Sequence, residues 1–218
     1  MTLNATIAAA PALQTMLDEG LAQMRLSLDE AKREKLLRYV ELLDKWNKVY
    51  NLTAVREPQR MLGLHILDSL SVYSQVAHCK TIIDVGTGAG LPGIVLAIAN
   101  PAIKYSLLDT IAKKTTFVRQ AIGELHLTNA VALTERVENY RPASGFDGVI
   151  SRAFAELKDF VEGAAHLCNA DGRLFAMKGV YPHDEIARLP AGFVVEQVIP
   201  LTVPSVEGQR HLVVIRKT

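Results

Sequence analysis

The chain changes its hydrophobic rhythm once. From Ser27 onward, Leu36, Val40, Leu43 and Tyr50 recur at helical spacing, with Leu37 widening the apolar stripe. Lys32, Arg33, Lys35, Arg38, Glu41, Asp44 and Lys45 fill the opposite face, as an amphipathic helix requires. Ser27-Leu28-Asp29-Glu30 has the S-x-x-E form of a capping box, which predicts Ser27 on the backbone donors and Glu30 reaching back. Pro58 marks a break, and Met61 to Val76 predicts a second helix carrying Leu62, Ile66, Leu67 and Leu70. Residues 1–79 therefore read as an N-terminal helical extension or cap.

From Lys80 the pattern alternates. Short apolar runs at Thr81–Val85, Lys104–Leu108, Val131–Leu133, Phe146–Ser151 and Arg173–Met177 predict strands. Helices are predicted at Ile94–Ala99, Lys113–Leu127 and Leu157–Leu167, the first ended by Asn100-Pro101. Such alternation implies an α/β domain, residues 80–218, whose mostly parallel sheet is covered on both faces. Phe193–Val203 and His211–Arg216 have no helix between them and should close the sheet as an antiparallel hairpin.

Composition narrows the picture. Of 218 residues 49% are hydrophobic, enough to bury a core without disulfides or metal. A formal net charge of +1 argues against holding nucleic acid by bulk charge, so RNA contacts would rest on local patches or a folded target. Cys79 and Cys168 stand in unrelated contexts, with no metal-ligand spacing around them. They read as reduced thiols, and no metal is expected. The mildly apolar Ile7 to Leu13 lacks the basic segment of an export signal, and no run approaches the ~18 apolar residues of a membrane span. A soluble cytoplasmic protein is expected, with a monomer as the default.

The most informative stretch is Asp84-Val85-Gly86-Thr87-Gly88-Ala89-Gly90-Leu91-Pro92-Gly93. Glycines after a buried strand let the backbone turn tightly and approach a ligand. The helix that follows offers its amides over the turn. Gly88, Gly90 and Gly93 satisfy the dinucleotide pattern G-x-G-x-x-G. Gly86, Gly88 and Gly90 satisfy G-x-G-x-G, with Asp84 two positions earlier, and fit better because Gly86 directly follows the strand. An acid there suits the cationic amino-acid part of S-adenosylmethionine, reached through water or neighbouring groups, and would oppose a pyrophosphate. Asp109 ends the next strand about 20 residues further on, where an acid accepts both ribose hydroxyls of an adenosine. That feature serves NAD equally well, and Asp109 as a helix N-cap is the plainer alternative.

Trp46-Asn47-Lys48-Val49-Tyr50-Asn51-Leu52-Thr53-Ala54-Val55 and His65-Ile66-Leu67-Asp68-Ser69-Leu70 add a resemblance. With Asp84 to Gly93, Ser151-Arg152-Ala153-Phe154, Met177-Lys178-Gly179 and Arg210 to Ile215, they resemble the RsmG (GidB) family. The match runs in order from about Leu28 to near the end of the chain. It implies a Rossmann-like class I methyltransferase that uses S-adenosylmethionine to form 7-methylguanosine in the decoding-region loop of 16S ribosomal RNA. By position it also implies that Gly86 and Leu91 line the methionine side of the cofactor and that Val137 and Glu138 flank the adenine. Arg152 would lie beside the cofactor at the catalytic mouth. The family often has Pro where this chain has Ala89, a difference expected to loosen the turn slightly.

Guanine N7 carries its own lone pair and needs no deprotonation, so in-line transfer asks for alignment rather than a general base. The sequence offers neither Asn-Pro-Pro-Tyr for an exocyclic amine nor a Pro-Cys nucleophile for cytosine. Arg152 and Lys178 interrupt apolar strand ends, where an idle charge is costly, and are the catalytic candidates. Arg56, His65, Lys114, Lys178 and Arg210 are the candidate contacts to 16S RNA or the small ribosomal subunit. Trp46 and Tyr50 fit the core better than a stacking role. Two other classes share the turn. An NAD-dependent oxidoreductase would be stabilised by NAD rather than by S-adenosylhomocysteine. A non-catalytic assembly factor would bind ribosomes without transferring methyl groups.

Overall fold

The computed structural model describes residues 3–218, with side chains from Pro11 onward. The side chains of Ile7 to Ala10, in the apolar run near the N-terminus, lie outside the described residues. Two long helices come first, α1 (Leu3–Gln23) and α2 (Glu30–Tyr50). The capping residue of α2 is Asp29, not Ser27: its carboxylate accepts the Lys32 N–H at 2.9 Å. An anionic cap also complements the helix dipole, while Glu30 pairs with Arg33 at 2.8 Å instead of reaching back. At the other end Asn51 takes the left-handed conformation, φ 49°, and returns its N–H to Asn47.

The expected helix from Met61 to Val76 is broken. It runs as α3 (Pro58–Met61), a π-helical turn (Leu62–Leu67), α4 (Asp68–Leu70) and, after a turn, α5 (Tyr73–Val76). Ser69 Oγ donates to the His65 carbonyl at 2.5 Å and Ser71 Oγ to that of Asp68 at 2.6 Å. Such back-bonding competes with the helical ladder.

The remaining elements are β1 (Thr81–Val85), α6 (Gly93–Ala99), β2 (Lys104–Asp109), α7 (Ala112–Glu124), β3 (Ala130–Thr134) and β4 (Phe146–Ser151). They continue with α8 (Leu157–Ala164), β5 (Cys168–Lys178), α9 (His183–Ala187), β6 (Phe193–Pro200) and β7 (His211–Lys217). All seven strands join one sheet in the order β3-β2-β1-β4-β5-β7-β6. The first five are parallel, and β7 runs antiparallel to both β5 and β6. The expected parallel sheet with a terminal hairpin is therefore present, and the strand order reverses between β1 and β4. In open α/β sheets ligands bind beyond the carboxyl ends of the strands at such a reversal.

Each face of the sheet has its own core. On one, Leu17, Leu36, Tyr39 and Ile66 of the helical segment pack in the same cluster as Ile82, Ile94, Leu107 and Phe117. On the other, Phe160 and Val161 of α8 cover Val149, Leu174, Val213 and Ile215. Trp46 packs at the edge of the first core, tilted against Phe117 at 5.6 Å and stacked on the exposed Tyr50 at 5.1 Å. Cys79 and Cys168 are free and buried. Among the described residues no helix is long and apolar enough to cross a membrane.

Candidate active site

The glycine turn leaves β1 towards β2: the N–H groups of Gly86 and Thr87 both bond the Leu108 carbonyl, at 2.9 and 3.0 Å. Gly86, Gly88 and Gly90 have φ of 71°, 61° and 90°, the left-handed region that side chains disfavour. Gly93 opens α6 and is required for space instead. A Cβ there would lie 2.0 Å from Leu107 Cδ2 and 2.9 Å from Asp84 Oδ2. The special backbone thus follows the G-x-G-x-G pattern that begins at Gly86.

Asp84 sits behind this turn, fully buried. Its Oδ2 accepts from Thr87 Oγ1 at 2.6 Å and from the Gly93 N–H at 2.9 Å. Burial raises its pKa to about 6, against the opposing pull of those two donors. It braces the loop and does not border the cavity in front. From the other side the Tyr39 hydroxyl of α2 donates to the Ala89 carbonyl. Gly88, Gly90 and Leu91 likewise shape the turn without lining that cavity.

The cavity, about 340 Å³, opens over the ends of β1 and β2. Asp109 stands in it with Oδ2 accepting the Gly88 N–H and Oδ1 the Ile111 N–H, each at 2.9 Å. It is not the N-cap of α7, a position held by Ile111. Each carboxylate oxygen keeps a second lone-pair site for a hydroxyl donor. Leu108, Ile111, Val137 and Phe154 supply apolar wall, with Glu138 and Lys114 at the rim. Lys114 Nζ is 3.9 Å from Asp109 Oδ2, so this expected RNA contact belongs to the cavity. A Cβ on Gly86 would meet that of Ala153 at 2.7 Å. A spare-acceptor acid, apolar walls and a bare backbone floor fit the adenosine of S-adenosylmethionine.

Beside it lies a second hollow of about 190 Å³, over the ends of β4 and β5. Arg152 borders the hollow, while its neighbours Ala153 and Phe154 border the cavity. Arg152 Nη1 donates to the Leu64 carbonyl at 3.1 Å and to Asp68 Oδ2 at 2.9 Å. At the end of the π-helical turn the Asp68 N–H reaches back to the Gly63 and His65 carbonyls rather than to that of Leu64, which faces Arg152. The buried Asp68 accepts from Arg210 Nε through its other oxygen, at 3.2 Å. Lys178 is held between Glu185 Oε2 at 2.7 Å and the Ala155 carbonyl at 2.5 Å.

Two expected RNA contacts stand elsewhere. His65 is buried, with Nε2 2.9 Å from Thr53 Oγ1, and burial lowers its pKa to about 4. A neutral core imidazole cannot serve as a surface cation, so His65 is withdrawn as an RNA contact. Arg56 is exposed and bonds the Asn47 carbonyl and Asn51 Oδ1, fastening the end of α2. Sequence reasoning missed the partners: Asp68 carried no role, and α9, which supplies Glu185, is too short and polar to stand out.

Solved structures share this architecture at low sequence identity. The mitomycin 7-O-methyltransferase MmcR matches with TM-score 0.62 and 17% identity over 82% of this chain and 60% of its own. A SAM-dependent methyltransferase from Aquifex aeolicus matches with TM-score 0.57 and 20% identity over 82% of this chain and 97% of its own. The sheet order with its antiparallel hairpin is the class I methyltransferase fold that these structures share. Residues 32–213 match the family GidB, rRNA small subunit methyltransferase G, and the chain belongs to that family. The ribosomal RNA small subunit methyltransferase G of Chromobacterium violaceum is 51% identical over 90% of this chain and 94% of its own length. That of Vibrio campbellii is 51% identical over 94% and 98%.

Proposed function

We propose that the protein methylates guanine N7 in the decoding-region loop of 16S ribosomal RNA, by direct in-line transfer without a general base. The observation that carries this reading is one loop, residues 152–154, bordering both the cofactor cavity and the cationic hollow. A donor in the first and a nucleotide in the second would meet across it. S-adenosylmethionine supplies a methyl group on an already activated sulfonium.

The chain's own work is binding and alignment. Asp109 receives the ribose hydroxyls, Val137 and Glu138 flank the adenine, and the turn from Gly86 to Leu91, braced by Asp84, seats the methionine end. Arg152 faces the nucleotide and is the catalytic residue of this reading. Lys178 positions the loop through its bonds to Ala155 and Glu185. Neither Arg152 nor Arg210 can accept a proton at neutral pH, and Asp68 is committed to both. That suits a nucleophile that has no proton to lose. The expected partner is 16S RNA or the small subunit, in the cytoplasm, with a monomer as the default; a sedimentation mass of twice the chain would overturn the monomer.

The test is transfer of labelled methyl from S-adenosylmethionine to small subunits lacking the modification, followed by nucleoside analysis. Label in 7-methylguanosine is expected. Label in any other nucleoside overturns the N7 assignment, and no label with S-adenosylhomocysteine still bound moves the substrate elsewhere.

A further inference from the structure

We infer that Arg152 and Arg210, set side by side by Asp68, form a seat for one phosphodiester of the RNA next to the target nucleotide, with Asp68 as its positioning residue. The inference rests on the guanine-N7 reading. Asp68 is 4% exposed and bonds Arg152 Nη1 through one oxygen and Arg210 Nε through the other. A buried carboxylate shared in this way fixes two guanidiniums from elements far apart in the chain. Both arginine side chains remain partly open, at 28% and 27% exposure. Among the described residues neither Arg152 Nη2 nor Arg210 Nη2 has a hydrogen-bond partner. The fork therefore holds unused donors at the edge of the hollow.

Charge and chemistry say what they would take. Two guanidiniums and one carboxylate leave one excess positive charge, because Lys178 is neutralised by Glu185. A phosphodiester carries one negative charge and matches guanidinium geometry. The other common ligand of arginine in nucleic acids is the O6/N7 edge of guanine. Here that contact would occupy the lone pair that must attack the methyl group. Arginines beside an N7 nucleophile are better spent on the backbone, where they fix the nucleotide and leave N7 free. A bound phosphate would also offset the positive charge that passes to the guanine ring during transfer.

The test is binding of the S-adenosylhomocysteine-loaded protein to small subunits lacking the modification, across a salt series. Arg210→Ala should make the slope of log affinity against log salt shallower by about 0.7 to 0.9, the loss of one phosphate contact. Arg210→Lys should keep the slope, because the charge remains. Asp68→Asn should also keep it, yet lower kcat about tenfold through misalignment, with S-adenosylhomocysteine affinity unchanged. An unchanged slope in an Arg210→Ala protein that melts like the parent removes the phosphate seat. An unchanged kcat in Asp68→Asn removes the positioning role. Nucleoside analysis on the parent protein stands apart from both: methyl label outside 7-methylguanosine sinks the N7 reading, while the slope still judges the seat.

Discussion

The cavity over β1 and β2 takes its walls from residues that directly follow strand ends: Gly86 after β1, Thr110 and Ile111 after β2, Glu135 to Glu138 after β3. The hollow over β4 and β5 is assembled differently, with Asp68 meeting Arg152 across 84 positions and Arg210 across 142. The first is built from chain-local pieces around Asp109, whose carboxylate bonds the backbone of two neighbouring turns. The second is a set of paired charges whose geometry exists only after the helical segment and the hairpin have docked on the sheet. A cofactor common to many substrates can be held by a local strand-turn-helix unit. A particular RNA site needs side chains gathered from the whole molecule.

The largest effect should come from removing the acid that ends β2. Asp109→Ala takes away the proposed ribose acceptor and also leaves the Gly88 and Ile111 N–H groups unpaired. Charge-assisted hydrogen bonds of this kind are worth roughly 1.5–3 kcal/mol each, so binding of S-adenosylhomocysteine should weaken at least about a hundredfold. Calorimetric titration measures it directly. Affinity within a few-fold of the parent would mean that Asp109 only holds the turn.

Next comes Arg152→Ala, which should lower kcat about a hundredfold and leave S-adenosylhomocysteine affinity nearly unchanged. Loss of cofactor affinity as large as the loss of rate would merge the two sites and end the comparison. These two residues also show what could be read from the sequence. Asp109 and the glycines were legible because a strand end, a turn and a helix start are consecutive, and their roles follow from that order. Arg152 and Lys178 stood out as charges ending apolar strands, but their partners did not. Asp68 directly follows a π-helical turn that an apolar stripe through Leu62, Ile66 and Leu67 reads as an ordinary helix. Arg210 reaches it only through the antiparallel pairing of β7 with β5. His65 misled for the same reason, since its burial depends on contacts that composition cannot show.

Two buried groups behind the sites carry opposite pH responses. His65, buried in the helical segment, has its pKa lowered by burial from 6.5 to about 4, with the positive Arg152 adding to the effect. Its stabilising contribution is whole above about pH 6.5 and is lost as pH falls towards 4, because the unfolded chain binds the extra proton. Asp84, behind the cofactor turn, has its pKa raised by burial from 3.8 to about 6. Its contribution is whole below 3.8 and is lost as pH rises through 6, because the folded state holds the proton. Between pH 4 and 6 the two slopes oppose each other. Denaturant unfolding over that window should show His65→Gln gaining stability on acidification relative to the parent, and Asp84→Asn losing it, each by up to about 1.4 kcal/mol per pH unit. Slopes identical to the parent in both variants would mean that neither group titrates as its burial requires.

The smallest effect tests whether the helical segment reaches the cofactor turn at all. Tyr39 is fully buried on α2, and its hydroxyl donates to the Ala89 carbonyl of the turn. Tyr39→Phe keeps the ring and its packing against Phe117 but leaves that carbonyl without this donor. The cost should be about 1 kcal/mol, felt as roughly fivefold weaker S-adenosylhomocysteine binding, because the loop conformation that forms the cavity floor is the one the hydroxyl supports. The salt slope of subunit binding should not move, since no residue of the arginine fork touches this bond. A slope that shifts with Tyr39→Phe would show the turn and the hollow yielding together. The division between a locally built cofactor site and a remotely assembled RNA site would then be one of sequence, not of mechanics.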